Sequence, residues 1–218
     1  MQVTSASTEL EAITEAKARQ GFYSLASRAF VKEVELSVLN GLRAWGVFGD
    51  FSARLLDGLD GRTDDAIIED LAIEYASCLL CSGAFLSPYE SVQASAEGQL
   101  CGDDSSRVLE LYRKSGFNMP EASALFPDHF GIELEFMGHL CAMEASSLEK
   151  GNADGAWRAR RLQSQFMEAH LGRWYRPFLQ KLERAAERAF YREMACVTGQ
   201  FIDSELEYIS HEPDAFPR

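Results

Sequence analysis

Basic residues are scarce in this chain: 21 Lys and Arg stand against 34 Asp and Glu, a formal net charge of -13 over 218 residues. A surface this acidic repels phosphate backbones and anionic lipid and attracts basic segments, which argues against nucleic acid as a partner. Long apolar runs are lacking as well. The longest stretch without charge, Tyr75 to Tyr89, holds three Ser, a Gly and a Pro and is too short to span a bilayer, so no integral membrane association is expected. The opening residues, MQVTSASTELEAITEAK, have no basic start followed by an apolar stretch, so no secretory signal is read there and a cytoplasmic location is expected. The five cysteines are an odd count without an export signal, and read as reduced thiols rather than a disulfide framework.

Motifs of enzyme chemistry are missing too. The sequence contains no Gly-x-x-x-x-Gly-Lys-Ser/Thr phosphate loop, no Gly-x-Gly-x-x-Gly fingerprint, no Gly-x-Ser-x-Gly elbow and no His-x-x-x-His pair. A di-iron bundle needs Glu-x-x-His twice, but Phe126, Phe136, Met167 and Tyr208 stand three before His129, His139, His170 and His211. Glu135 and His139, four apart, read as a polar pair on one helix face. Cys78 and Cys81 form a Cys-x-x-Cys pair, but no second close pair completes a zinc site. The pair also sits at the end of an apolar stripe, not at a helix N-terminus where the dipole would activate a thiol. No metal and no cofactor are therefore expected.

What the sequence does contain is helical periodicity. Thr8 with Glu11 reads as a capping box opening a helix to about Phe30, with Leu10, Ile13, Ala16 and Leu25 inward. Further helices are expected over roughly Val34–Trp45 and just after Asp50. Thr63 or Asp64 can cap a segment in which Ile67, Ile68, Leu71, Tyr75, Cys78 and Leu79 share one stripe. A loop turns at Pro88. A helix from Ser105 through Tyr112 stops at Gly116, and FNMPEASALFPDH reads as a linker. Asp128 is expected to cap the next helix, carrying Phe130, Leu134, Met137, Cys141 and Leu148 inward. Asp154 opens another, Pro177 breaks or begins the one after, which runs to about Thr198, and a last helix ends near Ile209. No segment alternates apolar and polar residues. The expected fold is all-α, a helical bundle of two unequal subdomains, 1–116 and 130–218, joined by a hinge over 117–129.

Three stretches carry more than scaffold: Glu74-Tyr75 with Leu79 one turn on; Pro88-Tyr89-Glu90-Ser91-Val92; and Pro127-Asp128-His129. In this order they resemble the cytoplasmic redox-enzyme maturation chaperones of the TorD, DmsD and NarJ group. That family has an aromatic-rich helix with a Glu-Tyr-x-x-x-Phe type end, then a Pro-aromatic-Glu-Ser-Val loop. Tyr112 to Phe117 matches its Tyr-x-x-x-Gly-Phe helix end. Pro127-Asp128-His129 with Glu133-Leu134-Glu135-Phe136-Met137 resembles its most distinctive segment, and Phe166, His170-Leu171 and Trp174 match a Phe-x-x-x-His-Leu-x-x-Trp pattern. The chain departs from the family at Leu79, where Phe is common, and at Gln93, where an aromatic is common.

The resemblance implies a non-enzymatic chaperone that binds an immature molybdoenzyme, through its twin-arginine leader or apo catalytic subunit, and assists cofactor insertion before export. No cofactor of its own is expected, and the chain is expected to be a monomer or homodimer. The implied leader- and client-binding residues are Tyr75, Leu79, Pro88, Tyr89, Glu90, Ser91, Pro127, Asp128 and His129. In that picture the acidic surface steers the basic leader. Tyr75, Leu79 and Tyr89 wall a groove for its apolar part. Asp128 and His129 set the groove's opening, with His129 the side chain nearest to titrating at neutral pH. Two rival readings are a helical nucleotide-dependent switch or enzyme acting at the hinge, and a metal or redox protein using Cys78 and Cys81.

Overall fold

The N-terminal helix α1 (Gln2–Val31) buries one stripe, Ala16, Arg19, Tyr23, Ala26, Ser27 and Phe30, at three- and four-residue spacing. The computed structural model describes residues 2–44, 53–57, 59, 61–81, 83–94, 100–119 and 124–211. Thr8 lies inside α1 rather than at its start, and Leu10, expected inward, is 66% exposed, because the stripe that meets the core begins later, at Ala16.

After α2 (Leu36–Ala44) come α3 (Asp64–Tyr75), a π-helical turn (Ala76–Leu80), a 3-10 turn (Gly83–Leu86), the short α4 (Glu90–Gln93) and α5 (Asp103–Ser115). Residues 53–55 are helical, where a short helix is expected just after Asp50, and Trp45 lies outside the described residues. Thr63 caps α3 through its side chain, which accepts from the Ala66 N–H. Gly116 ends α5 in the left-handed conformation at φ 73°, which glycine adopts without a Cβ penalty.

The remaining helices are α6 (Phe130–Glu149), α7 (Ala153–Ala169), α8 (Leu171–Ala185) and α9 (Ala189–His211). Pro177 lies within α8 and does not break it; the chain turns at His170 and again at Ala186. Trp174, Phe178, Leu179 and Leu182 are all buried by that helix, and this packing outweighs the hydrogen bond lost at proline. Among the described residues there is no β-sheet, only one isolated bridge between Tyr89 and His129. None of their helices is long and apolar enough to cross a membrane.

Helix α6 is the axis of the molecule. It is apolar nearly all round, as a central helix must be, and α1 runs antiparallel along it. Gly131 faces Val31 and Ser27, and Gly138 faces Tyr23 and Gln20. A Cβ at Gly131 would lie 2.6 Å from the Val31 Cγ2, 3.0 Å from its backbone N and 3.2 Å from the Ser27 carbonyl. Gly131→Ala is therefore expected to force the two helices apart and cost about 1–2 kcal/mol net, even after alanine's better helix propensity. Urea denaturation checks this; an unchanged or raised midpoint would show that the helix pair can shift without cost.

Helix α9 lies antiparallel to α1 on another side, with Phe201 in ring contact with Phe22 and Tyr23 at 4.1 and 4.9 Å. Between these helices sits a buried ionic cluster. Arg19 donates to both Glu205 carboxylate oxygens (2.8 and 2.7 Å), to Glu144 (3.2 Å) and to Gln163 (2.5 Å). Arg160 also donates to Glu144 (3.0 Å), and the Tyr23 hydroxyl to Glu205 (3.0 Å). One continuous core joins residues from both sides of 117–129. The expected division into 1–116 and 130–218 therefore does not coincide with two separate cores: α1 belongs to the first stretch but packs on α6 and α9 of the second. Within the expected hinge, residues 120–123 lie outside the described ones.

Candidate functional site

The Pro88 and Pro127 segments meet through backbone. The Glu90 N–H donates to the Asp128 carbonyl (2.9 Å) and the Phe130 N–H to the Pro88 carbonyl (2.7 Å), so Pro88–Glu90 runs antiparallel to Asp128–Phe130. The Asp128 carboxylate accepts from the Ser91 N–H at 2.9 Å and from the Ser105 hydroxyl. The Tyr112 hydroxyl donates to the Pro127 carbonyl at 2.9 Å. Asp128 thus ties together the Pro88 loop, the start of α5 and the approach to α6.

The cap of α6 is His129, not Asp128: its Nδ1 accepts from the Gly131 N–H at 3.1 Å. His129 also does not titrate near neutrality. Its ring is buried, which disfavours the charged form, and its pKa is lowered to about 4 despite the neighbouring Asp128. Its ring packs against Tyr89 with centroids 5.0 Å apart.

Behind this bridge lies a second polar layer, and Glu133, His170 and Trp174 in it are absent from the residues expected at the site. Glu90 and Glu133 are fully buried. His170, at the turn between α7 and α8, meets the Glu90 Oε2 through Nδ1 at 2.9 Å, and the Trp174 indole N–H donates to the Glu133 Oε2 at 3.1 Å. Sequence offers a signal for Glu133: an acid between Ile132 and Leu134, in a helix apolar on every side, has no water-facing side to turn to. His170 and Trp174 are visible there only as pieces of a pattern.

Tyr75 and Leu79 are elsewhere. Both are buried in the core, and the Tyr75 hydroxyl donates to the Phe30 carbonyl at 3.2 Å. They cannot wall an open groove, because the stripe at three- and four-residue spacing that singles them out is the stripe α3 and its π-helical continuation turn inward. Of the three expected groove residues only Tyr89 reaches the surface, half-buried. The outward apolar side chains of this region are others: Leu80 at 61% exposure, Phe85 at 66% and Phe126 at 36%. Phe126 and Tyr89 are in ring contact at 6.0 Å, and the Lys181 ammonium lies over the Phe85 ring at 5.5 Å. Of these, the Tyr89 segment is the one held by the polar groups, through the bridge to His129 and the bond from the Ser91 N–H to Asp128.

The thiols give little chemistry. Cys78 is buried and Cys81 exposed. Burial, with Glu74 nearby, pushes the Cys78 thiol up, away from the thiolate that redox work requires. Among the described residues no group of three or more His, Cys, Asp and Glu is placed to hold a metal ion. The Asp128 carboxylate is already engaged by Ser91 and Ser105.

Comparison with known proteins extends the picture. A family model described as nitrate reductase delta subunit matches residues 44–180. A chaperone protein TorD from Shewanella pealeana is 23% identical over 215 residues, covering 89% of this chain and 90% of that protein. The chlorate reductase assembly chaperone protein of Ideonella dechloratans is 26% identical over 71% of this chain and 78% of its own length. The selenate reductase assembly chaperone protein of Thauera selenatis is 27% identical over 70% and 77%. A crystal structure of a redox enzyme maturation protein from Archaeoglobus fulgidus shares the fold at a TM-score of 0.55 and 22% identity, covering 85% of this chain and 93% of that one.

Proposed function

Since the chain belongs to the nitrate reductase delta subunit family, with the family match spanning residues 44–180, we propose that it is a TorD-like assembly chaperone of a molybdenum-containing reductase. It is an assembly factor and not a catalyst, as are the relatives it matches along most of their length. In this reading it acts in the cytoplasm. It holds the apo catalytic subunit through its twin-arginine leader until the cofactor has been inserted. The observation that carries the leader reading is a set of outward apolar side chains, Leu80, Phe85 and Phe126, with the half-buried Tyr89 against Phe126, in a protein of net charge -13. A leader joins basic residues to an apolar stretch, and this surface offers a counterpart to each.

Calorimetry with the leader peptide of a molybdenum-containing reductase from the same genome tests it. Binding is expected to weaken with rising salt, because screening reduces the electrostatic part, without vanishing, because apolar burial is not weakened by salt. Phe85→Ser and Phe126→Ser should each weaken binding by about 1–2 kcal/mol, as truncated interface anchors do, with the unfolding midpoint unchanged. Wild-type affinity in both variants would remove these side chains from the site. No binding to the leader, with capture of the apo subunit retained, would confine the chaperone reading to the folded client.

A further inference from the structure

Two fully buried oxygens in the polar layer have no hydrogen-bond partner: Oε1 of Glu90 and Oε1 of Glu133. The other oxygen of each is engaged, by His170 and by Trp174 respectively. Arg173 approaches the Glu90 Oε1 only to 3.7 Å, beyond hydrogen-bond reach. The two side chains meet each other. As a pair of anions they would repel and leave two acceptors desolvated. With one proton between them, the same geometry becomes a charge-assisted O–H···O bond that satisfies both.

We propose that Glu90 and Glu133 share one proton at neutral pH, and that this proton latches the Tyr89-Glu90-Ser91 segment onto α6. The hydrogen-bonded chain then runs without a gap from the Trp174 indole through Glu133 and Glu90 to His170, joining α4, α6, the turn at His170 and α8. Glu133 is the carrier: burial first, and the Glu90 carboxylate second, hold its pKa well above the ordinary range. Glu90, with His170 on its other oxygen, is the acceptor.

The surrounding charged and titratable groups come from every packed element. They are Tyr112 and Asp104 of α5, Asp128 and His129 ahead of α6, His170 at the turn and Arg173 of α8. Tyr112 is pushed well above its usual value by burial and His129 down to about 4, so both stay neutral across the range of interest.

The folded state keeps a proton that the unfolded chain releases above about pH 4.3, so stability falls as pH rises from there until folded Glu133 itself ionises. The latch also fixes the segment carrying Tyr89, so its regulatory consequence rests on the leader-binding reading above. The proton itself does not.

Infrared difference spectroscopy of the wild type decides the proton. A band from a buried neutral carboxyl is expected at about pH 7 and should vanish in Glu133→Gln; its absence from the wild type would overturn the proposal. The glutamine amide can donate to Glu90 and accept from Trp174 as the protonated acid does. Glu133→Gln should therefore stay folded, and its urea midpoint should fall less between about pH 5 and about pH 9 than that of the wild type. Hydrogen exchange at residues 88–93, corrected for intrinsic rates, should speed up with pH in the wild type and not in the variant. Equal pH slopes in the two proteins would overturn the latch. His170 also faces Glu90, so the infrared band and the glutamine variant, not the slope alone, assign the proton. Should Glu133→Gln fail to fold, Glu90→Gln assigns the band, which should shift because the partner of the Glu133 carboxyl has changed and would stay in place if it came from another carboxyl, and the wild-type exchange profile decides the latch. Leader affinity, measured on the same samples, separates the two readings: a pH-dependent latch with no leader binding keeps the proton and removes its use.

Discussion

Arg19→Met is expected to cost about 3–5 kcal/mol, because it removes one side of a buried charge pair and leaves the other in the core. Arg19 is 6% exposed and satisfies acceptors on three helices at once: Glu205 of α9, Glu144 of α6 and Gln163 of α7. Methionine fills a similar volume and keeps the apolar part of the packing. The loss therefore reports on Glu205 and Glu144, whose carboxylates would have no cation of comparable reach; Arg160 compensates only at Glu144. Arg19→Lys should recover little, since an ammonium cannot present a guanidinium's fork of donors to three partners. Domains of this size have only about 5–15 kcal/mol of net stability, so much of Arg19→Met should be unfolded in mild denaturant. Circular dichroism against urea measures this. A loss below about 1 kcal/mol would mean that water or a rearranged Arg160 reaches the cluster, placing it among exposed ion pairs of small net worth.

The second large effect is expected at Asp128. As a helix cap its replacement by alanine would cost roughly 1 kcal/mol. The structure gives it another role: its carboxylate takes the Ser91 N–H at 2.9 Å and the Ser105 hydroxyl, and all three residues are buried. Asp128→Ala strips both donors of a charged acceptor in a buried site, and about 3 kcal/mol is the expected loss. Asp128→Asn keeps one acceptor oxygen for Ser91 and turns its amide to Ser105, so about 1 kcal/mol is expected. The same tie holds the Pro88–Ser91 segment, so Asp128→Ala should also weaken leader binding, and hydrogen exchange at Glu90 and Ser91 should quicken. Urea titrations of the two variants, with exchange measured on both, test this. A cap-sized loss in Asp128→Ala, with exchange at Ser91 unchanged, would return Asp128 to a local role.

The helical class is legible in the sequence because amphipathic period and helix punctuation are local. The three- and four-residue spacing of Ile67, Leu71, Tyr75 and Cys78, the cap at Thr63 and the stop at Gly116 each act within one or two turns, and the structure has all of them. The segments around Pro88 and Pro127 are legible as well, but only as patterns. Their meeting is a backbone bridge between residues some forty positions apart, which no local period encodes.

Two kinds of misreading have one physical origin. An apolar stripe says that a helix face avoids water; it does not say whether another helix or a ligand covers that face. Tyr75 and Leu79 therefore pass for groove walls in the sequence, whereas their faces are closed by the core. A polar residue likewise says nothing of its own burial. Glu90, Glu133, Asp128 and Arg19 can be fully desolvated only because their partners arrive from α5, α7, α8 and α9. The sequence by itself determined that this chain folds into helices and which segments carry its family pattern, since both follow from residues close together in the chain. Only the tertiary structure decided which of those residues hold the fold from within and which face outward, because desolvation depends on what packs on top.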